Sequence, residues 1–350
     1  MEQVRWGIIG CGDVCEVKSG PAFQNVPRSK LVAVMRRDAA RAEDYAKRHG
    51  VGRSYHRAQD LVDDVEVDAV YIATPPGTHL EYALMACEAK KPAYVEKPMA
   101  RSFAECRIMV DAFAAAKVPL FVAYYRRALD RFRVARDLVA SGDLGAITGV
   151  SYRYASEPYR EAPTGELPWR FRAEESGGGL LLDLGSHTLD ILDFILGPLE
   201  KVRGDARNVA SPYDVEDTVV MHFATASGAL GTAQWNFASA VSADEIVISG
   251  DKGEVRLGTF GDGPIEVRVG ARIEHLERPN PRTIQGPMIE SVVEDLVGIG
   301  RSASTGATAA RTSAVMDAAL AAYYGSREGE FWRHPRSWPG RPTRQAPEHR

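Results

Sequence analysis

Short apolar runs alternate with longer amphipathic segments over the first 124 residues of the chain. The apolar runs are typical of buried strands, and the segments between them are typical of helices. Two neighbouring parallel strands need a long crossover connection, which usually contains a helix. The crossover itself is nearly always right-handed. The alternation therefore predicts a parallel sheet covered by helices. Strands are expected at 6–9, 30–35, 69–74, 93–95 and 120–123, and helices at 39–49, 78–89 and 103–116.

The pattern changes after residue 127, where a helix is predicted over 128–141, a strand over 148–154 and a helix over 179–195. From 201 to about 276 only strands and short turns follow, which favours an antiparallel sheet. Helices are expected again at 288–299 and 307–324. The chain is thus predicted to be an α/β protein with domains 1–124 and 125–332. The tail 333–350 holds five arginines and four prolines, and we expect it to be largely unstructured or to wrap a neighbour.

A glycine-rich turn, Gly10-Cys11-Gly12-Asp13-Val14-Cys15, follows the first predicted strand. A strand that runs into Gly-x-Gly and then a helix is typical of a dinucleotide site, because the glycines let the backbone approach a pyrophosphate. Cys15 replaces the usual third glycine, so the motif is incomplete, and a plain strand-to-helix turn is the alternative. Pro21 should interrupt the helix that follows.

Two arginines end the second predicted strand, where an acid usually binds the ribose 2′-hydroxyl of the cofactor. This position holds Arg36, and Arg37 follows. Two guanidiniums suit a 2′-phosphate, which they can bind with forked, charge-assisted hydrogen bonds. The sequence therefore favours NADP over NAD, with two merely solvated arginines as the alternative. Asp38 is expected to cap the next helix.

An acid, a lysine and a proline, Glu96-Lys97-Pro98, directly follow the predicted strand 93–95. The carboxyl end of a strand is where an open α/β sheet presents groups to a ligand. Lysine is seldom buried without a partner, so packing explains Lys97 poorly. Pro98 restricts the backbone as the chain leaves the sheet. The alternative is a simple surface turn.

A second group of polar residues, Asp183 and His187, lies in the predicted helix 179–195, which three glycines at 177–179 precede. Four residues apart, the two side chains share one helical face. An aspartate beside an imidazole orients it and favours its protonated form. Asp190 lies near the same face and competes for the histidine. The glycines are expected to let the backbone pass closely against another part of the protein, such as the cofactor domain. A helix-stabilising surface pair is the alternative interpretation.

Together these features resemble the glucose-fructose oxidoreductase, inositol dehydrogenase and MocA family of NAD(P)-dependent oxidoreductases. The resemblance covers nearly the whole chain. It is carried by the glycine turn, Ala73-Thr74-Pro75-Pro76 with His79, Glu96-Lys97-Pro98, Tyr124-Tyr125-Arg126-Arg127 and Asp183-Leu184-Gly185-Ser186-His187. It implies an N-terminal Rossmann domain with a parallel sheet and a C-terminal α/β domain. The second domain would have a large, open, mainly antiparallel sheet that often packs against another subunit.

The resemblance also implies catalytic roles for three residues. Lys97 would lie beside the nicotinamide, hydrogen-bond the substrate oxygen and stabilise its negative charge. His187 would transfer the proton, because its intrinsic pKa lies near neutrality. Asp183 would bind a substrate hydroxyl or tune the two cations. Hydride would pass between a substrate carbon and the nicotinamide, so no metal is expected.

The resemblance also implies further cofactor and substrate contacts from the positions of residues in the sequence. The expected cofactor contacts are Gly10, Gly12, Asp13, Val14, Arg36, Arg37, Thr74, Pro75, Pro76, His79, Glu96, Lys97, Arg126, Trp169 and Arg170. For His79 a simple helix-start role is the alternative. Tyr125 departs from the asparagine often found at its position. Aromatic rings pack well on sugar C–H faces, which makes Tyr125, Tyr152, Tyr154 and Tyr159 candidate substrate contacts. Tyr152 and Tyr154 share one strand face, so a place in the core is their alternative.

Composition limits which partners the protein is expected to bind and in which cellular compartment it is expected to reside. With 43 basic and 47 acidic side chains, nothing suggests nucleic acid or an anionic membrane as a partner. The chain has no apolar run of membrane-spanning length and no signal-peptide pattern, and its four cysteines lack Cys-x-x-Cys spacing. We therefore expect a cytoplasmic protein with reduced cysteines. An apolar face on the antiparallel sheet would have to be covered, which predicts a homodimer or homotetramer.

The predicted function is that of an NADP-dependent oxidoreductase acting on a secondary alcohol or carbonyl of a sugar, polyol or cyclic diol. One alternative is a non-catalytic NADP-sensing regulator, although such a protein does not need Lys97, Asp183 and His187 together. The other is a glycoside hydrolase of the same fold that uses its nicotinamide transiently.

Overall fold

Six parallel strands form the first sheet in the computed structural model, which describes residues 2–159 and 165–341. The strands are β1 (Val4–Ile9), β2 (Ser29–Met35), β3 (Arg53–Tyr55), β4 (Ala69–Ile72), β5 (Ala93–Val95) and β6 (Leu120–Val122). Their order in the sheet is β3-β2-β1-β4-β5-β6, and every neighbouring pair is parallel. The predicted parallel sheet is confirmed. The short edge strand β3 was not predicted, because Arg-Ser-Tyr makes no apolar run.

Six helices accompany this sheet in chain order. They are α1 (Asp13–Val17), α2 (Gly20–Asn25), α3 (Ala39–His49), α4 (Ala58–Val62), α5 (His79–Glu88) and α6 (Phe103–Ala116). The predicted interruption falls before Pro21, because α1 ends at Val17 and α2 begins at Gly20. Pro21 lies in the first turn of α2, where a missing N–H is tolerated. Asp38 caps α3, as predicted, by accepting a hydrogen bond from the backbone N–H of Arg41 at 3.1 Å. The helices α3 and α6 have the bounds that the sequence predicts.

Eight strands form the second sheet. They are β7 (Ile147–Ala155), β8 (Leu199–Arg207), β9 (Thr218–Thr225), β10 (Leu230–Asn236), β11 (Ala243–Gly250), β12 (Gly253–Leu257), β13 (Ile265–Val269) and β14 (Arg272–Leu276). Their order is β14-β13-β12-β11-β7-β10-β9-β8. All pairs are antiparallel except β7 with β10. The predicted, mainly antiparallel sheet is confirmed, with β7 at its centre.

The remaining helices are α7 (Asp130–Ser141), α8 (Ala173–Ser176), α9 (Ser186–Leu196), α10 (Gly286–Val297) and α11 (Gly306–Tyr324). By compactness the chain divides into Met1–Asp137 with Glu277–Ser313, and Leu138–Leu276 with Ala314–Arg350. The helix α10 therefore belongs to the unit of the parallel sheet. The predicted domains, 1–124 and 125–332, are each one continuous stretch of the chain, whereas each compact unit combines two stretches. The predicted bounds stay predictions. Within the described part of the chain, no helix has the length and apolar character needed to cross a membrane.

The two faces of the eight-stranded sheet differ in polarity. The inner face is apolar and buried, with Tyr152, Trp235 and Ile246 among its residues. The outer face carries charged and polar side chains, including Arg256, whose Nε lies 2.6 Å from a carboxylate oxygen of Glu254. The expectation of a large apolar outer face is therefore wrong. The oligomer that was inferred from it stays a prediction.

The first part of the C-terminal tail is ordered against the second unit. Trp338 is buried, donates from its indole N–H to the carbonyl oxygen of Phe331 at 3.1 Å, and packs on the ring of Tyr324 at 4.7 Å. Arg341 lies 2.8 Å from Asp214. The expectation of an unstructured tail is wrong for residues 333–341, because its aromatic residue anchors it. Residues 342–350 lie outside the described residues.

Candidate functional site

The glycine turn lies across the carboxyl ends of three adjacent strands. The N–H of Gly10 donates to the carbonyl oxygen of Met35, at the end of β2, at 2.9 Å. Gly10 has a φ of 90°, and a Cβ there would lie 2.7 Å from Cγ2 of Thr74, beyond the end of β4. Both the left-handed backbone and the close approach therefore require glycine at position 10.

The residue that replaces the third glycine does not obstruct the turn. Cys15 is fully buried beneath it, with its thiol 3.8 Å from the carbonyl oxygen of Gly10. Burial raises the pKa of the Cys15 thiol well above its usual range, so the side chain stays neutral. Above the turn, a Cβ on Gly12 would meet only the carbonyl oxygen of Gly10, at 3.9 Å. The turn therefore keeps the open backbone that a pyrophosphate needs. Asp13 and Val14 follow as the first residues of α1.

The two arginines after β2 differ in placement. Arg36 is half-buried and donates from Nη1 to the carbonyl oxygen of Cys11 at 3.4 Å, so it lies against the glycine turn. Arg37 is exposed. Arg36 is thus the arginine that the fold brings to the predicted cofactor site.

His79 joins the loop after β4 to the loop after β5. It is fully buried at the start of α5, beyond Thr74 and the turn Pro76–Thr78. Its Nε2 lies 2.7 Å from the carbonyl oxygen of Thr74, and its Nδ1 lies 3.1 Å from that of Pro98 and 3.2 Å from that of Met99. Burial lowers the pKa of His79, which favours the neutral ring. Both ring nitrogens therefore face protein carbonyls, and His79 braces the segment that follows Lys97.

Glu96 anchors the backbone of Lys97. The Glu96 carboxylate is buried, and its Oε1 accepts from the Tyr71 hydroxyl at 2.6 Å and from Nε2 of Gln285 at 2.8 Å. Its Oε2 accepts from the backbone N–H of Lys97 at 3.1 Å. Lys97 is half-buried, and the Lys97–Pro98 bond is cis. Glu96, predicted as a cofactor contact, thus has both oxygens bonded to protein. Gln285 carried no signal in the sequence, because its partner lies 189 residues away.

The residues after β6 lie at the same edge of the sheet. Tyr125 and Arg126 are buried in the 3₁₀ turn Tyr125–Ala128. Nη1 of Arg126 donates to the Tyr125 hydroxyl at 2.8 Å, and its guanidinium lies 4.9 Å from the centre of that ring. The structure therefore brings predicted groups from β1, β2, β4, β5 and β6 to the carboxyl edge of one parallel sheet.

In the second unit, Asp183 lies in a π-helical turn instead of the predicted α-helix. The turn covers Leu181–Gly185, and α9 begins at Ser186. His187 is buried in the first turn of α9, and the Phe260 ring meets it edge-on, with 6.0 Å between ring centres and 83° between ring planes. Phe260 lies 73 residues beyond His187 and was not predicted.

Asp183 has a basic partner from the preceding loop. Nε of Arg170 lies 3.3 Å from Oδ2 of Asp183. The Arg170 guanidinium also lies 5.4 Å from the centre of the Trp169 ring, in the 3₁₀ turn Trp169–Phe171. Two separately predicted groups therefore meet here. Because Arg170 is half-exposed, the strength of this pair is limited by solvent.

The three glycines before this turn pack against a buried acid of the same unit. The Gly179 N–H donates to Oε2 of Glu216 at 2.9 Å, and a Cβ on Gly179 would lie within 2.9 Å of the Glu216 Cδ. The Tyr324 hydroxyl donates to the same oxygen, and Nη1 of Arg327 donates to the carbonyl oxygen of Gly177 at 2.9 Å. Glu216 is fully buried, and burial raises its pKa. The close approach expected of the glycines is therefore made to Glu216 and Tyr324.

The candidate substrate tyrosines divide by burial. Tyr152 belongs to the core: it is buried, packs on Trp235 at 5.3 Å and donates to Oδ1 of Asp244 at 3.2 Å. Tyr154 is half-buried and packs on Phe260 at 5.4 Å. The ring of Tyr159 packs on Phe171 at 4.6 Å. Tyr154 is thus the tyrosine of β7 that reaches the surroundings of His187 through Phe260.

Comparison with known families gives two matches along the chain. Residues 4–124 match the family described as oxidoreductases with an NAD-binding Rossmann fold. Residues 132–256 match the GFO/IDH/MocA C-terminal domain.

Individual relatives align over most of the chain. Oxidoreductase P35 of Formosa agariphila is 35% identical over 319 residues, which cover 90% of this chain and 98% of the relative. The trans-1,2-dihydrobenzene-1,2-diol dehydrogenase of Bos taurus is 28% identical over 79% of this chain and 80% of its own. The solved structure of levoglucosan dehydrogenase in complex with NADH superposes with a TM-score of 0.81 at 21% identity, over 91% of this chain and 96% of that one. This last likeness concerns the fold.

Proposed function

Because this chain belongs to the GFO/IDH/MocA family of oxidoreductases, we propose that it transfers a hydride between NADP and a sugar, polyol or cyclic diol. The reacting group is a secondary alcohol or the corresponding carbonyl. The observation that carries the proposal is that the glycine turn, Arg36 and Lys97 lie at the carboxyl edge of one parallel sheet. Ligands of open α/β sheets bind at this edge. The relative named for a dihydrodiol supports a hydroxylated substrate.

The cofactor site is assigned to the turn and the strand ends. Gly10 and Gly12 leave the backbone open to the pyrophosphate, and Arg36 binds the 2′-phosphate with Arg37 beside it. Thr74, Pro75, Pro76 and Arg126 line the edge toward Lys97, while Glu96 and His79 hold the backbone on either side of that lysine. When bound, the nicotinamide supplies or accepts the hydride.

The protein side chains handle the oxygen and the proton. The Lys97 ammonium hydrogen-bonds the reacting oxygen and stabilises the negative charge that develops on it. His187 removes the hydroxyl proton in oxidation and returns it in reduction. Asp183, with Arg170 beside it, binds a neighbouring substrate hydroxyl. Trp169 and Arg170 contact the cofactor, and Tyr154 and Tyr125 contact the substrate.

Cofactor preference is tested by calorimetry with NADP and NAD on the wild type and on Arg36→Asp. We expect tight NADP binding by the wild type and a reversed preference in the variant, because a carboxylate repels the 2′-phosphate and accepts from the 2′-hydroxyl. Lys47→Asp, on the exposed face of α3, makes the same change in net charge and should keep the preference of the wild type. Equal binding of NADP and NAD by the wild type would contradict the NADP assignment.

Activity is tested by absorbance of NADPH in a screen of sugars, polyols and cyclic diols. Net conversion of added cofactor supports the oxidoreductase. Cleavage of a glycoside without net conversion of the cofactor would instead identify the hydrolase. Tight NADP binding without turnover of any substrate would identify the sensing regulator.

A further inference from the structure

Asp244 collects four hydrogen-bond donors at the start of β11. Its Oδ1 accepts from the Thr259 N–H at 3.0 Å and from the Tyr152 hydroxyl at 3.2 Å. Its Oδ2 accepts from the Phe260 N–H at 2.6 Å and from the Gly261 N–H at 3.4 Å. The carboxylate therefore binds three successive backbone N–H groups of the segment 259–261, which follows β12. It also ties that segment to the central strand β7.

The segment held by Asp244 contacts α9 at two consecutive residues. The hydroxyl oxygens of Thr259 and Thr188 lie 3.1 Å apart, and both residues are buried. The Phe260 ring meets the ring of His187 edge-on, with 6.0 Å between their centres. One contact fixes the helix at Thr188, and the other restricts the imidazole of the residue before it.

We infer that Asp244 is a positioning residue for His187, which it orients through Thr259 and Phe260. This inference rests on the proposed proton-transfer role of His187. A proton-transfer group is effective only when its ring is held in a productive orientation. The Phe260 side chain has no hydrogen-bonding group, so its position depends on ring packing, including the contact with Tyr154 at 5.4 Å, and on how its backbone is held. Asp244 accepts from that backbone directly.

The chemistry of the site requires a carboxylate. Each oxygen of Asp244 accepts from at least one backbone N–H. An asparagine keeps the size of the side chain but has one acceptor oxygen, and its amide N–H₂ would face a backbone N–H. Asp244→Asn should therefore release one side of the segment without creating a cavity.

The direct test is the NMR signal of the His187 ring C–H groups in protein labelled at histidine. The signal is identified by its loss in His187→Gln. In the wild type it carries the ring-current shift of Phe260, which Phe260→Leu removes. We expect Asp244→Asn to move the His187 signal in the same direction as Phe260→Leu, and to leave the signals of the exposed His222 and His275 in place. Glu245→Gln, the next residue on the exposed face of β11, should leave every histidine signal unchanged.

Thr259→Val gives a second, milder variant, because it removes the hydroxyl contact with Thr188 and keeps the side-chain shape. It should move the His187 signal less far than Asp244→Asn, and it supplies the answer if Asp244→Asn does not fold. An unchanged His187 signal in the folded Asp244→Asn protein, or in Thr259→Val when that is the only folded variant, would overturn the inference.

Turnover provides a second readout. With a substrate found in the screen, kcat of Asp244→Asn should fall about 10- to 100-fold, while calorimetry gives an unchanged Kd for NADP. Glu245→Gln should keep the kcat of the wild type. Equal kcat values for Asp244→Asn and the wild type would contradict the positioning role. If the wild type turns over no substrate, the proposed function fails, but the NMR experiment still decides whether Asp244 positions His187.

Discussion

His79 in the first unit and Glu216 in the second both hold backbone segments, but His79 is a basic side chain and Glu216 an acidic one. Each is a fully buried titratable side chain that bonds the backbone close to a candidate catalytic residue. His79 faces the carbonyl oxygens of Thr74, Pro98 and Met99, beside Lys97. Glu216 accepts from the N–H of Gly179, shortly before Asp183. An imidazole N–H can donate to a carbonyl oxygen at the first position, and a carboxyl oxygen accepts from an N–H at the second.

Burial moves both pKa values toward the neutral form, down for His79 and up for Glu216. The consequences for stability have opposite signs. The contribution of His79 is present above its unfolded pKa of about 6.5 and is lost as the pH falls through its lower folded pKa. The contribution of Glu216 is present below its unfolded pKa of about 4.5 and is lost as the pH rises through its higher folded pKa. The contributions of His79 and Glu216 to stability should therefore change in opposite directions with pH.

Removing a proposed catalytic side chain should change turnover more than any other substitution, and it tests whether both units contribute catalytic residues. Lys97→Ala and His187→Ala should each lower kcat about 100- to 10,000-fold, because each removes a group that stabilises charge or transfers a proton. Calorimetry should still show NADP binding. Lys47→Ala and His222→Ala change the same residue types at exposed positions and should keep full activity. Full activity in Lys97→Ala or His187→Ala would remove that residue from the mechanism.

A smaller effect is expected where the backbone approaches Glu216. Gly179→Ala places a Cβ against the buried acid, and it should lower the free energy of unfolding by about 1–3 kcal/mol. Gly149→Ala in β7 meets no atom within 4 Å and has no left-handed backbone, so it should change stability by much less. Denaturant unfolding of both variants measures the difference. Equal changes in the free energy of unfolding for the two substitutions would mean that Glu216 moves aside at little cost and does not hold the turn.

Glu216→Gln tests the pH response of the second unit. Gln keeps an acceptor for the Gly179 N–H and does not ionise. Its free energy of unfolding should rise relative to that of the wild type as the pH increases above about 4.5, because only the wild type must then bury a charge. Urea unfolding at a series of pH values measures this. A difference that stays constant across pH would contradict the raised pKa of Glu216.

The corresponding change in the first unit is His79→Gln, and we expect it to be the smallest effect. Relative to the wild type, its free energy of unfolding should rise as the pH falls below about 6.5, because the wild type alone resists protonation of a buried ring. The same urea series measures it. A shift in the direction found for Glu216→Gln would contradict the opposite pKa shifts of His79 and Glu216.

Much of the first unit was predictable because its signals are local. Asp38 caps α3 from three residues before its donor, and each predicted strand of the parallel sheet is an apolar run. The order of parallel strands then brings Gly10, Arg36, Thr74, Lys97 and Arg126 to one edge. The second unit was predictable as a mainly antiparallel sheet, but its contacts near His187 were not. The glycines at 177–179 were the available signal for Glu216, since close packing needs a partner.

Local sequence patterns were enough to predict the parallel sheet, the mainly antiparallel second sheet and the strand ends that carry the candidate cofactor groups, because residue periodicity and turn chemistry act over a few neighbouring residues. The tertiary structure sets which side chains hold those groups in place. Gln285 reaches Glu96 across 189 residues, Tyr324 reaches Glu216 across 108, and Asp244 meets the segment 259–261. It also decided the π-turn at Asp183 and the ordered start of the tail. Such contacts depend on which distant surfaces the fold brings together, so no local sequence pattern predicts them.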